Sequence, residues 1–362
     1  MAAREKTILV LGSTIAKIFW VNQAENLGPH GYQTVFYVRE RAFYDTEPHY
    51  AVTVPYPKNA LANIWKFLSL LKTLRPHHIE AFHDLYRWDF LILFYFYVLA
   101  ARLFRIPVVS VCMGGEILYW ERHSFLKKWS LKRLLRGSRL VILKEPYQKE
   151  YIKKYRIFHA DRIPTFELPN AVDISGNISF ERSEDIVLFL NSFKPWRNPE
   201  MVTSVFRLVI KKIPQARLIM AGYRTEEEYD LVRREIDDEW EQKVELIPYR
   251  LDNRKLYSRA KVFILPADFI YLNNSLLEAM ERGIPPVIGS KDPYGSLIIQ
   301  DGVNGFRVDI NPGEMADKVI RLLEDENLRR KMGREARETV MKHFNNRERI
   351  QKLCELYRNL DS

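Results

Sequence analysis

The chain has 362 residues, 47% of them hydrophobic and 28% charged, and a formal net charge of +10. That length suits two domains better than one core, and the composition excludes a disordered or fibrous chain. The two cysteines, Cys112 and Cys354, are too few and too distant for a disulfide framework or a cysteine metal cluster, so a reducing, cytoplasmic setting is expected.

Ile8 to Gly12 is too short for a signal h-region and reads as a first strand closed by a glycine. Strands are predicted at 31–38 and 51–54, the latter stopped by Pro55. Over 59–74, Leu61, Ile64, Trp65, Leu68 and Leu71 recur with the helical period. A short strand at 79–82 precedes a helix over 87–104. The apolar run Phe90 to Ala101 falls well short of the roughly 20 residues that span a bilayer, so it reads as a buried core helix. A strand at 108–113, a basic helix at 125–136 and a strand at 140–143 complete the first half.

The second half repeats the alternation. Strands are expected at 185–190, 216–221, 244–248, 262–265 and 286–288. Asn198 followed by Pro199 reads as a helix cap with proline at the first position, and Val202, Val205, Phe206 and Val209 form that helix's buried stripe. Thr225 and Glu228 read as a capping box. Further helices are expected at 275–282, 312–323, 326–343 and 348–360. Strands alternating with helices predict an α/β fold with parallel sheets covered on both faces. The polar stretch 173–185 predicts two Rossmann-like, doubly wound domains facing across a cleft, 1–173 and 174–345, with a helix at 346–362 crossing back to the first.

Charge is concentrated. Residues 123–156 hold eleven Lys or Arg against Glu145 and Glu150, a net +9. In 125–136, Phe125, Leu126, Trp129, Leu131, Leu134 and Leu135 interleave with cations, a pattern of helices that lie on anionic membranes. It equally fits a solvated cationic face over a core-facing stripe. Nucleic acid is not expected, because no recognition motif accompanies the charge.

Chemistry is expected at strand ends. Asn273, Asn274 and Ser275 precede a helix whose first amides, including Ser275 and Leu276, would be free to bind a diphosphate. Glu278, placed in that helix's first turn, would accept hydroxyl hydrogen bonds from a ribose, or simply complement the helix dipole. Lys194 and Arg197, after the first strand of the second half, would neutralise a leaving diphosphate. No Asp-x-Asp pair or other metal set is visible, and the turn Gly12-Ser13-Thr14 lacks the glycine fingerprint of a dinucleotide site.

The run Asn273-Asn-Ser-Leu-Leu-Glu-Ala-Met-Glu-Arg-Gly283, with Leu168-Pro-Asn-Ala-Val-Asp173, Asn191 to Asn198 and Asp301 to Val308, resembles the carboxyl-terminal signature of family 4 glycosyltransferases and related retaining GT-B enzymes. The resemblance covers nearly all of 168–357. It implies transfer of a sugar from a UDP- or GDP-sugar to a glycan or lipid-linked acceptor, with retention and without a metal or other cofactor. It implies too that 1–173 takes the acceptor and 174–345 the nucleotide sugar. It also implies a peripheral place on the inner face of a membrane, reached through 125–156. By the same resemblance Tyr249 and Arg250 lie near the nucleobase and Ser192 beside the phosphates. Gly12 and Ser13 would face the donor or acceptor. Gly114, Gly115 and Glu116 correspond to the family's His-Gly-x-acid turn, and His83 to a recurrent histidine.

Three positions depart from the pattern. Ile270 stands where the family has the first of two paired acids, with Asp268 the nearest substitute. Ser192 replaces an arginine and Met113 a histidine. Each removes a polar contact to the donor, worth on the order of 1–3 kcal/mol. Two alternatives therefore stay open: a catalytically degenerate homologue acting as a binding or regulatory subunit, and a nucleotide-sugar 2-epimerase of the same architecture.

Overall fold

The computed structural model describes residues 6–11, 18–38, 48–82, 88–158, 162–250, 252–268, 270, 272–290 and 298–360. They form two compact units, Met1–Pro169 with Glu348–Ser362, and Asn170–Arg347.

In the first unit the elements are β1 (Lys6–Leu11), α1 (Ile18–Leu27), β2 (Tyr32–Val38), β3 (Ala51–Pro55), α2 (Ala60–Leu74), β4 (His78–Phe82), α3 (Trp88–Leu103), β5 (Val108–Cys112), α4 (Gly115–Leu118), α5 (Phe125–Arg136), β6 (Leu140–Leu143), α6 (Tyr147–Lys154) and β7 (Thr165–Glu167). The strands make one parallel sheet in the order β3-β2-β1-β4-β5-β6-β7. Every residue of β4 and β5 is buried, as a strand covered on both faces requires. Phe67 and Leu71 of α2, Phe94 and Val98 of α3 and Leu131, Leu134 and Leu135 of α5 fill the core on one face. Val21 and Ala24 of α1 fill the other, together with Ile350, Leu353 and Tyr357.

The second unit contains β8 (Ile186–Leu190), α7 (Pro199–Lys212), β9 (Arg217–Tyr223), α8 (Glu226–Arg233), β10 (Val244–Pro248), α9 (Arg254–Arg259), β11 (Val262–Ala267), α10 (Asn274–Glu281), β12 (Pro286–Ser290), β13 (Phe306–Val308), α11 (Pro312–Glu324) and α12 (Glu326–His343); α13 (Asn346–Arg358) follows and packs on the first unit from Glu348 onward. The second sheet is also parallel, in the order β10-β9-β8-β11-β12-β13. Counted within each sheet, the second runs 3-2-1-4-5-6 and the first runs the same way with a seventh strand added at the end, the doubly wound order. It reverses at β1/β4 and at β8/β11, and ligands of such sheets bind at the carboxyl ends of the strands beside that reversal.

Two local expectations are corrected. Asn198 does not cap α7: it sits at φ 47° with no capping hydrogen bond, because its side chain instead donates to Asp268 at 3.2 Å. The helix read as buried core, α3, is buried on one face only. Tyr95, Phe96, Leu99 and Leu103 are 42–76% exposed, since a helix apolar all round leaves part of its circumference uncovered when it lies against one sheet.

A buried polar chain ties α13 to the first sheet. Arg349 donates to Gln23 at 2.7 Å and to the Pro169 carbonyl at 3.1 Å, and Gln23 donates to Glu80 at 3.4 Å. Burial pushes the Glu80 carboxyl up to about 7 against the opposing pull of Lys144 and Arg349. Lys144, counted in the basic run, is 2% exposed and so adds nothing to the surface charge.

Candidate functional site

Adjacent parallel strands bring the ends of β10, β9, β8 and β11 to one edge of the second sheet. The loop after β8 is held there from several sides. The Asn191 amide donates to the Ala221 carbonyl at 3.0 Å, and its side-chain oxygen accepts the Ser192 amide at 2.9 Å. Phe193 is fully buried, its ring 5.8 Å from both Phe189 and Tyr223. Gly222, at φ +125°, passes so close to the loop that a Cβ would stand 2.2 Å from the Asn191 carbonyl oxygen; only glycine fits there.

This anchoring displays Lys194 and Arg197. Lys194 Nζ lies 2.6 Å from Glu228 Oε1, so the cation expected to meet a diphosphate already has a carboxylate partner. Burial would raise the Glu228 carboxyl, but hydrogen bonds from Lys194 and the Arg224 amide outweigh it and hold the group below its ordinary value. Thr225 accepts the Glu228 amide at 3.3 Å, while the Glu228 carboxylate takes the Arg224 amide at 2.8 Å, one residue earlier than a capping box would. Arg197 closes a 3-10 turn, Pro195–Arg197. Across the strand reversal, the Asp268 amide donates to the Trp196 carbonyl at 3.0 Å. With the Asn198 bond, this joins the β8 loop to the end of β11.

At α10, Asn273 is the cap. Its side-chain oxygen accepts the Leu276 amide at 3.2 Å and the Ser275 hydroxyl at 2.6 Å. The Leu276 amide, expected to be free for a phosphate, is therefore occupied. The amides of Asn274 and Ser275 have no acceptor among the described residues. Glu278 falls in the second turn, not the first. It shares a face with Asn274 and Ser275, four and three residues earlier. Glu278 is half-buried, and its Oε2 accepts a 2.7 Å hydrogen bond from the Tyr257 hydroxyl, which also lies 3.3 Å from the Ser275 carbonyl. Oε1 has no hydrogen-bond partner among the described residues. Burial pushes the Glu278 carboxyl up, opposed by Tyr257 and Arg282, and burial raises the Tyr257 hydroxyl further, beside a carboxylate.

Beyond β10, the Tyr249 ring is 41% exposed and lies 3.9 Å from the Arg224 guanidinium, a cation–π stack. Arg250 is exposed, and its carbonyl accepts from Asn253 at 3.2 Å. Sequence reasoning missed Tyr257, Arg224 and Glu228 as parts of this site. The position of Arg224, directly after a strand end, was the one signal; Tyr257 carries none, since it meets Glu278 only through folding.

Of the departures, Ile270 is fully buried in the second core, where an acid would be desolvated. Met113 packs half-buried against the first core. Gly12, Ser13 and His83 lie outside the described residues, as do the side-chain surroundings of Gly115 and Glu116. Gly114, at φ 122°, lies two residues past the end of β5, and its carbonyl accepts the Ile117 and Leu118 amides at 3.1 and 2.9 Å, starting α4. Among the described residues no three His, Cys, Asp or Glu side chains could hold a metal ion.

Residues 173–339 match the family described as Glycosyl transferases group 1. The poly(glycerol-phosphate) alpha-glucosyltransferase of Bacillus subtilis (strain 168) is 23% identical over 195 residues, 52% of this chain and 28% of that protein. The UDP-Gal:alpha-D-GlcNAc-diphosphoundecaprenol alpha-1,3-galactosyltransferase of Escherichia coli is 20% identical over 281 residues, 72% of this chain and 71% of that one. The chain spans under half the length of several curated relatives that it matches. Among solved structures, Alr3699/HepE from Anabaena, in complex with UDP and glucose, superposes with a TM-score of 0.76 at 16% identity, over 96% of this chain and 98% of that one. The fold is GT-B.

Proposed function

We propose that this chain, whose residues 173–339 match the glycosyl transferases group 1 family, transfers a sugar, with retention, from a nucleoside diphosphate sugar to a glycan or lipid-linked acceptor. One observation carries the reading. On α10 the Asn274 and Ser275 amides, without acceptors among the described residues, share a helical face with a carboxylate whose Oε1 is uncommitted.

In this reading the two amides and the helix dipole hold the diphosphate, and Glu278 Oε1 accepts a ribose hydroxyl while Tyr257 fixes the other oxygen. The base lies by the Tyr249–Arg224 stack, and Arg197 adds positive charge as the diphosphate leaves. The leaving diphosphate takes the acceptor proton, so no protein nucleophile is required. UDP is the first donor base to test, since Alr3699/HepE was solved with it. The acceptor is carried at an anionic lipid surface that the basic segment 125–156 approaches; the E. coli relative acts on a diphosphoundecaprenol-linked sugar.

Calorimetric titration with UDP and GDP, followed by donor hydrolysis and transfer assays on a UDP-sugar panel, tests the reading. Micromolar binding of one nucleotide with turnover of its sugar supports it. No binding of either nucleotide rejects it. A second reading, a homologue that binds the donor without transferring it, is favoured by two findings: Ile270 is buried in the core and Lys194 is committed to Glu228. Binding without hydrolysis or transfer would select it.

A further inference from the structure

We propose that α3 and α5 together form an insertion platform for an anionic lipid bilayer, on which the protein is held by buried apolar side chains as well as by charge. This rests on the reading that segment 125–156 meets anionic lipid. It adds α3, which carries no part of that charge run.

Tyr95, Phe96, Leu99 and Leu103 follow one another at helical spacing along α3, 42%, 46%, 45% and 76% exposed. Their opposite face, Phe94, Tyr97, Val98 and Ala101, is buried in the core. The arrangement is a helix with two apolar faces, of which the sheet covers only one. Beside it, α5 exposes Phe125, Leu126 and Trp129, 79%, 58% and 44% exposed. The helices pack together, and the Tyr95 and Trp129 rings stack at 6.3 Å, making the two rows one surface. Monomers rarely expose contiguous apolar area of this kind without an interaction.

Charge decides among the occupants. Arg102, Arg105, Arg133 and Arg136 are exposed around the same helices, and the Arg133 guanidinium lies 5.3 Å from the Trp129 ring centroid. A second copy would bring like charge against like. A bilayer with anionic headgroups instead receives the cations at the phosphate level and the aromatic and leucine side chains below it. No described helix is long and apolar enough to cross a membrane, which fits a helix lying in the interface.

The test uses the full chain with phosphatidylcholine vesicles, with or without 30% phosphatidylglycerol (about that fraction suffices for a strong surface potential). Leu99→Cys labelled with an environment-sensitive dye reports insertion, the native Cys112 and Cys354 both being buried. Expected are a blue-shifted emission on anionic vesicles and residual binding at high salt. In Phe96→Ser/Leu99→Ser binding should weaken roughly ten- to a hundredfold, the scale of the exposed half of two apolar side chains, with an unchanged unfolding midpoint. Binding that high salt abolishes, with no emission shift, overturns the insertion while leaving the electrostatic reading of 125–156 standing. No binding to anionic vesicles at all rejects both. Dimerisation that Phe96→Ser/Leu99→Ser abolishes would assign the surface to a second copy and overturn the proposal.

Discussion

Replacing Glu278 by alanine separates binding from folding. In the folded chain its Oε2 accepts one hydrogen bond from Tyr257. After truncation the Tyr257 hydroxyl still lies 3.3 Å from the Ser275 carbonyl, so it can turn to that oxygen. The substitution also removes a carboxyl that burial pushes up. The fold should therefore lose no more than about 1 kcal/mol, a shift of about 2–4 °C in the midpoint of a unit this size. A hydroxyl donating to an ionised carboxylate contributes about 1.5–3 kcal/mol, so UDP should bind roughly 10- to 150-fold more weakly. Because the carboxyl is raised, wild-type affinity should decline on acidification above the ordinary glutamate range, and that decline should be missing in Glu278→Ala. Calorimetry with UDP and differential scanning calorimetry on both proteins supply the numbers. An unchanged UDP affinity, or a collapse in stability with affinity intact, would refute the placement of the ribose on this side chain.

Gly222→Ala should lower stability by several kcal/mol, because its Cβ would meet the Asn191 carbonyl at 2.2 Å in a left-handed backbone; thermal unfolding checks it, and a shift under 2 °C would contradict the close approach. Lys194→Met should leave the buried Glu228 without its cation and raise that carboxyl, read as a new pH-dependence of stability on the acid side; if Lys194 instead served mainly the diphosphate, UDP affinity would fall with no such change. Glu80→Gln addresses the buried chain beneath α13. Its folded-state carboxyl is raised to about 7 from 4.5, so its contribution is full below the unfolded value and is lost as pH rises through about 7, on the order of 3 kcal/mol. The variant should remove that decline, measured by urea unfolding at pH 5 and pH 8; equal slopes in both proteins would count against it.

The long amphipathic and β-branched segments were readable because burial imposes a period on them: Val202, Val205, Phe206 and Val209 of α7 are all buried as their spacing marks, whereas α2 was legible as a helix but not in its inward face, since Phe67 and Leu71 are buried while Leu61 and Trp65 are 71% and 73% exposed. The short elements were not. The strands β7 and β13 have three residues each, too few to alternate, and α6 is so basic that its buried Tyr147, Gln148 and Ile152 leave no clear stripe. At the site, Glu278 and the Asn273 cap were legible from a helix start. Which oxygens and amides remain open was not, since Tyr257 and Ser275 decide that through contacts of 21 and 2 residues' separation. Asn198 shows the same limit: a dipeptide that reads as a cap is claimed by Asp268, 70 residues on. For α3, length excluded a membrane span, but nothing in an all-apolar run says which side the sheet will leave bare.

The tail that begins at Glu348 has a practical meaning for anyone cutting this molecule apart. Ile350, Leu353 and Tyr357 are interior to the first lobe, and Arg349 holds Gln23. A fragment ending at Pro169 would lack one wall of its own interior, whereas 170–347 is uninterrupted in sequence. The carboxyl-terminal lobe is thus the one to express in isolation, and its partner lobe needs those last residues supplied, in trans as a peptide or spliced on through a short linker.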